Sequence, residues 1–450
     1  MNKYIKLATL GIGISLMSSC SLLEVDKILE PNNPTVESIE SNATANQISQ
    51  LGIGLQSTAR NGIAAFYETS GSIGREIIRS ASTDNRYFSE ILGTVDIDPA
   101  GIFYGWYGSY NATRRRAELF IRSADNTNSI TAAQKAGVRG FAKTIQAYAM
   151  LNCLNMLQSS GIRTSFTDLS APGDLLKPGK FSDYAGGLAY CKTLIDEGNT
   201  ALGQAGASFA FPMTAGWAGF NTPANFARFN RAIAARIAMY QKDWAGMNTA
   251  LNQSFLNLSG PLSTGPVFTF STTAGDLTNP LFQNRNTDGA PWVVQVRVVP
   301  EAEAGDTRIA AKMSRRNNPR ASGNIAASEF EVFMYPSNTS PISIIRNEEL
   351  VLMYAEAQLQ TNNLVNAENA LNIIRTSAGL RAYAGAKTAA ALTDELLKQR
   401  RYSLFFEGHR WFDMRRYNRL GDLPKDLANH RVFAEMPRPQ SEVDWDVRNP

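Results

Sequence analysis

Residues 399–417, reading Q-R-R-Y-S-L-F-F-E-G-H-R-W-F-D-M-R-R-Y, decide how the rest of the chain is read. Leu397, Leu404, Gly408, Trp411 and Arg415 recur at spacings of three, four or seven, which places them on one face of a helix. Phe405 and Phe412 widen that face. Thr393 is positioned to cap the start, Asp394 and Glu395 suit the positive end of the helix dipole, and Gly421 is available to end it. Gly408 then falls in mid-helix, where it costs about 1 kcal/mol against Ala. Close packing against another backbone explains such a residue. The stretch predicts a helix sandwiched in an all-helical core.

Charge is equally dense here. Arg400, Arg401, Glu407, Arg410, Asp413, Arg415 and Arg416 interleave with the aromatics, and Glu407 and Arg410 stand at i,i+3. The structural reading stacks Arg planes on buried rings and pairs their forks with Glu407 and Asp413. The competing reading is an active or metal site built from Glu407, His409 and Asp413. His409 and Asp413 share a helix face, but Glu407 points elsewhere, and a metal needs three or four converging ligands. The structural reading is preferred.

The segment E-G-H-R-W-F-D-M-R-R, residues 407–416, resembles the C-terminal signature of the SusD/RagB family of outer-membrane lipoproteins. The preceding Q-R-R-Y-S-L lacks that family's usual acidic residues. Two further segments resemble the family in the expected order: R-N-E-E-L at 346–350, running on into Y-A-E-A at 354–357, and P-R-P-Q-S-E-V at 437–443. The resemblance implies a helical glycan- or peptide-capturing protein that covers a SusC-like TonB-dependent transporter and performs no chemistry. It carries over no ligand residues, because those sit in variable loops.

The N-terminus fits. Lys3 and Lys6 precede a short apolar run, residues 7–17, too short to span a bilayer, which takes about 20 apolar residues. L-M-S-S-C, residues 16–20, then reads as a lipobox with Cys20 lipidated. Residues 1–19 are read as a lipoprotein signal peptide and 20–35 as a lipidated tether closed by Pro31 and Pro34. The acyl chains, at about 0.8 kcal/mol per buried CH₂, would hold the protein on a membrane, and the family resemblance implies the outer membrane, facing the cell surface.

The 450 residues are 44% hydrophobic and 10% aromatic, ample for a large core. The formal charge of +4, two of it from Lys3 and Lys6, gives nucleic-acid binding no support. Apart from Cys20 only Cys153 and Cys191 remain, read as buried free thiols rather than a disulfide. With two His and no G-x-S-x-G in context, Walker loop, H-E-x-x-H or C-x-x-C, the sequence offers no enzyme, cofactor or metal signature.

Along the chain, helical patterning begins near Val36 and runs with breaks through Ser80. It resumes at 103–123, 131–158, 181–202 and 225–256, the last broken at 240–244. Helix, short turn and helix recur at 347–378, with Gly379 as the stop. Small residues facing across paired helices predict a mostly α fold of irregular tetratricopeptide-like units. The scaffold spans about 36–258 and 343–436, in one domain over 36–450. Residues 259–342 form a loop-rich insertion with short strands near 267–270, 292–299 and 330–334.

A neutral sugar offers hydroxyls and apolar ring faces, so its site needs exposed aromatic planes with Asp, Asn, Gln and Arg around them. The candidates are Asp84, Asn85, Arg86 and Tyr87 in the polar-aromatic run after Ser80, with Tyr104, Trp217, Asn221 and Trp292. Trp217 lies in A-G-W-A-G-F-N, where no helical pattern holds an indole. It is either a ligand platform or a plug for the scaffold beneath the loop. Trp106 and Trp411 are expected in the core. A lipid-anchored scaffold for protein partners is the reading from another class.

Overall fold

The computed structural model describes residues 36–80, 82–166, 178–322 and 324–449, and the proposed signal, lipidated Cys20 and tether lie outside them. The first helices are α1 (Val36–Asn42), α2 (Ala45–Ala59) and α3 (Ile63–Ile73). Thr44 caps α2 with a reciprocal bond from Gln47, the box that the S/T-x-x-Q spacing encodes. The helical reading through Ser80 is corrected at its end. Ile77–Arg79 is a strand, β1, because Gly74 ends α3 and two β-branched isoleucines, with Arg79, meet a partner strand.

A four-residue helix, α4 (Arg86–Ser89), interrupts the loop that follows. The scaffold then takes α5 (Gly105–Asn126), α6 (Ala132–Leu157), α7 (Tyr184–Gln204), α8 (Pro223–Gln241) and α9 (Trp244–Gln253). Each packs on the next in chain order. Thr131, Asp183, Thr222 and Asp243 cap the last four, and Pro223 takes the first helical position, where its missing N–H is no loss. Close approach needs small residues: a Cβ on Gly140 of α6 would come within 2.6 Å of Leu202 of α7. Between α6 and α7 a two-stranded piece forms, β2 (Ile162–Arg163) with β3 (Phe181–Ser182). Cys153 and Cys191 are buried free thiols, as read.

The insertion holds β4 (Val267–Phe268), β5 (Trp292–Val294), helix α10 (Thr307–Lys312), β6 (Met313–Ser322), β7 (Ile325–Val332) and β8 (Ile342–Ser343). The main sheet runs β1-β5-β7-β6, with Arg79 opposite Trp292. The β6 strand was not expected, since M-S-R-R-N-N-P-R-A-S has no apolar alternation. It pairs with β7 through register shifts near Arg320, the irregularity a proline-bearing strand requires.

The helix pair α11 (Asn347–Gln360) and α12 (Leu364–Ser377) stands where it was read, followed by α13 (Ala389–Ser403), α14 (Arg410–Arg416) and α15 (Gln440–Arg448). The mid-helix placing of Gly408 is corrected. Thr388, not Thr393, caps α13, which ends at Ser403, and residues 404–409 turn before α14. Phe406 and Gly408 take the left-handed region at φ 56° and 76°. The glycine is needed twice, for that backbone and because a Cβ would sit 2.6 Å from Phe66. The apolar face is fully internal all the same: Phe405, Phe406, Trp411 and Phe412 are at most 1% exposed.

Candidate functional site

Glu407, His409 and Asp413 do not form a site together. Glu407 pairs with Arg346 rather than with Arg410, because the 404–409 turn separates them. Asp413 accepts from Arg400 Nε at 2.7 Å and from Arg416 Nε at 3.0 Å. His409 lies 3.7 Å from Glu349, whose carboxylate is held by Arg236 at 2.7 Å, and burial pushes the imidazole down to about 4, so it is neutral at pH 7. Arg416 reaches on to Glu356 at 2.7 Å, and Trp411 Nε1 donates to the Phe433 carbonyl at 2.8 Å. These buried pairs tie the 346–360 helix to the C-terminal signature. Among the described residues no group of three or more His, Cys, Asp or Glu is arranged to hold a metal.

The loop after β1 carries an exposed polar-aromatic surface. Tyr87 is half-buried, with Phe103 edge-on at 5.1 Å and the Arg79 guanidinium over its ring at 4.5 Å. Arg79 Nη1 also donates to Glu68 at 2.5 Å, which fixes the fork. Burial raises the Tyr87 phenol, with Glu68 adding to it, so the hydroxyl stays a donor. Beside it Arg86 grips Asp84 through Nε at 3.0 Å and Nη2 at 2.7 Å, a two-point pair that lowers the Asp84 carboxyl, and Asn85 is exposed. The Ser80 amide donates to the Pro291 carbonyl at 2.7 Å, so the exposed run 284–289 (N-R-N-T-D-G) flanks the same edge. Arg79 and Glu68 were missed by the sequence reading, which ran a helix through them. The I-I-R run soon after Gly71 and Gly74 was the available signal.

The other candidates separate. Tyr104 is half-buried, donating to the Pro437 carbonyl at 3.0 Å, and burial raises its phenol. Asn221 is exposed, in the turn before α8. Two indoles are corrected from exposed planes to core. Trp217 is 2% exposed, with Phe229 at 5.1 Å, Phe226 at 5.3 Å and Phe141 at 6.1 Å. Its glycine-flanked loop lies against β4, so close that a Cβ on Gly216 would overlap the Val267 carbonyl, and this drives the indole between α6 and α8. Trp292 is 4% exposed against Phe406 at 5.7 Å. Only its backbone, paired with Arg79, belongs to the polar edge. Trp106 and Trp411 are core, as expected.

Helix pairs stacked in chain order, with a small four-stranded sheet, define a mostly α-helical scaffold class. Residues 333–449 match the SusD family model, a span that contains all three segments from which the resemblance was read. The C-terminal part of the chain is thus similar to the SusD family over residues 333–449. Among solved structures it is similar to surface glycan-binding protein A from Bacteroides thetaiotaomicron, at 15% identity and TM-score 0.69, over 90% of this chain and 98% of that one. A second structure of that protein, in complex with laminarihexaose, matches at 15% identity and TM-score 0.68, over 89% and 98%. A SusD superfamily protein from Bacteroides vulgatus matches at 14% identity and TM-score 0.67, over 89% and 97%. No curated protein matches this sequence.

Proposed function

We propose that this chain is a non-catalytic glycan-binding lipoprotein that captures oligosaccharides at the outer membrane and hands them to a SusC-like TonB-dependent transporter, which it covers as a lid. The observation that carries the reading is a fold shared over nine-tenths of the chain with a surface glycan-binding protein solved with laminarihexaose. The surface of Tyr87, Arg79, Glu68, Asp84, Asn85 and Arg86 supports it chemically. It combines an aromatic ring with charged and amide groups whose forks match paired hydroxyls. Anchoring is assigned to Cys20 of the L-M-S-S-C run, residues 16–20.

Two experiments divide the finer parts. Acyl labelling should mark the native chain and not Cys20→Ser, and equal labelling of both would remove the anchor. Purification from detergent extracts should bring down a β-barrel transporter in stoichiometric amount. Recovery of a periplasmic partner alone would replace the lid with a scaffold role.

A further inference from the structure

A cleft of about 420 Å³ opens where three helix ends meet: α8 at Gln241, α11 at Gln360 and α14 at Arg416. This volume lies within the usual range of small-ligand sites, about 300–1,000 Å³. Trp244, Tyr417, Lys242, Gln360 and Asn418 line it, and Arg416 is part of its wall. It belongs to the helix-pair scaffold, apart from the β1 edge that bears Tyr87.

The tryptophans single it out. Of six in the chain, Trp106, Trp217, Trp292 and Trp411 are at most 4% exposed, and only Trp244 and Trp445 keep part of their surface open. Of these two, Trp244 lines the 420 Å³ cleft. Around it the polar groups are of two kinds. Arg416 and Tyr417 are fixed: Arg416 holds Glu356 at 2.7 Å and lies over the Tyr417 ring at 4.8 Å, while Tyr417 donates to Glu356 at 2.8 Å and accepts from Gln360 at 3.2 Å. Lys242 and Asn418 are exposed and both take left-handed backbone, at φ 58° and 56°, in the turns that end α8 and α14. Among the described residues, neither side chain has an ion-pair or hydrogen-bond partner. A half-open indole, a rigid phenol and unengaged ammonium and amide groups form a lining suited to a pyranose ring. The ring's apolar face covers the indole and its hydroxyls meet the donors.

We infer that the Trp244–Tyr417 cleft is a second carbohydrate site, taking a pyranose unit of a glycan on the face opposite in kind to the loop edge. This rests on the reading of the chain as a glycan-binding protein, but not on the Tyr87 surface. The test uses the full chain in detergent micelles carrying Trp445→Phe, so that Trp244 is the one partly open indole. Maltohexaose, laminarihexaose and xylohexaose are titrated to millimolar concentration while tryptophan emission is followed.

At least one sugar should change the emission saturably. The change should persist in Tyr87→Ala, vanish in Trp244→Phe, and shift to several-fold higher sugar concentration in Lys242→Ala and Asn418→Ala, whose side chains are exposed and leave folding intact. Calorimetric binding of a sugar with no emission change would overturn the cleft site and leave the capture function standing. An emission change lost in Tyr87→Ala and kept in Lys242→Ala and Asn418→Ala would also overturn it. No binding by either method, for any of the three sugars, would overturn both.

Discussion

Asp413 and Arg400 form a buried ion pair at 2.7 Å, with side chains 2% and 0% exposed, and it closes the family signature on itself. Burial alone would raise the Asp413 carboxyl, but Arg400 and Arg416 outweigh it and bring the carboxyl down to about 2. Its unfolded value is about 3.9. The folded value is the lower one, so the contribution is present above about pH 4 and is lost as pH falls toward 2. Asp413→Asn removes that acid dependence and leaves the buried Arg400 guanidinium without its carboxylate, while Arg416 keeps Glu356. It should cost about 3–5 kcal/mol at pH 7. Urea melts at pH 7 and pH 3 check both: the gap between native and variant should narrow at the lower pH, and a gap that stays constant would contradict the assignment.

Gly408 tests the turn that replaced the expected helix. Its φ of 76° and the 2.6 Å approach of Phe66 penalise any side chain. Gly408→Ala should destabilise by about 2–4 kcal/mol, adding left-handed strain to overpacking. Had Gly408 stood within a regular helix, the same change would stabilise by about 1 kcal/mol. The sign of the shift in melting temperature separates the two.

Trp217 was the residue the sequence made most inviting as a platform, and its packing against Phe226 and Phe229 makes it a core residue. Trp217→Ala should cost about 3–5 kcal/mol through the cavity it opens. Calorimetry on the folded fraction should find glycan affinity unchanged.

The scaffold was legible because its signals are local. Thr131 with Gln134, Asp243 before Trp244 and the 361–363 turn each announce a helix end by side-chain chemistry within four residues. The 404–409 turn was hidden because Leu404, Gly408 and Trp411 keep helical spacing through a break set by Phe66 and Arg346, contacts far away in the chain. Strand β6 was hidden for a similar reason, since its partner β7, and not its own pattern, makes it a strand. Of the site, the run Asp84–Tyr87 could be read as polar and aromatic in sequence. Arg79 reaches Tyr87 from β1 and is held there by Glu68 of α3, and exposure, which separates Trp217 from Trp244, has no sequence signature at a single residue.

The proposed capture function is tested most directly by calorimetry of the chain from Ser21 onward against a panel of oligosaccharides, with Tyr87→Ala alongside. Binding of one glycan class at micromolar to millimolar affinity, roughly −8 to −4 kcal/mol, is the predicted result. Tyr87→Ala should weaken it at least about tenfold, or about 1.4 kcal/mol, with the melting temperature little changed. Full affinity in Tyr87→Ala would move the glycan away from the β1 edge, and silence across the panel would contradict glycan capture.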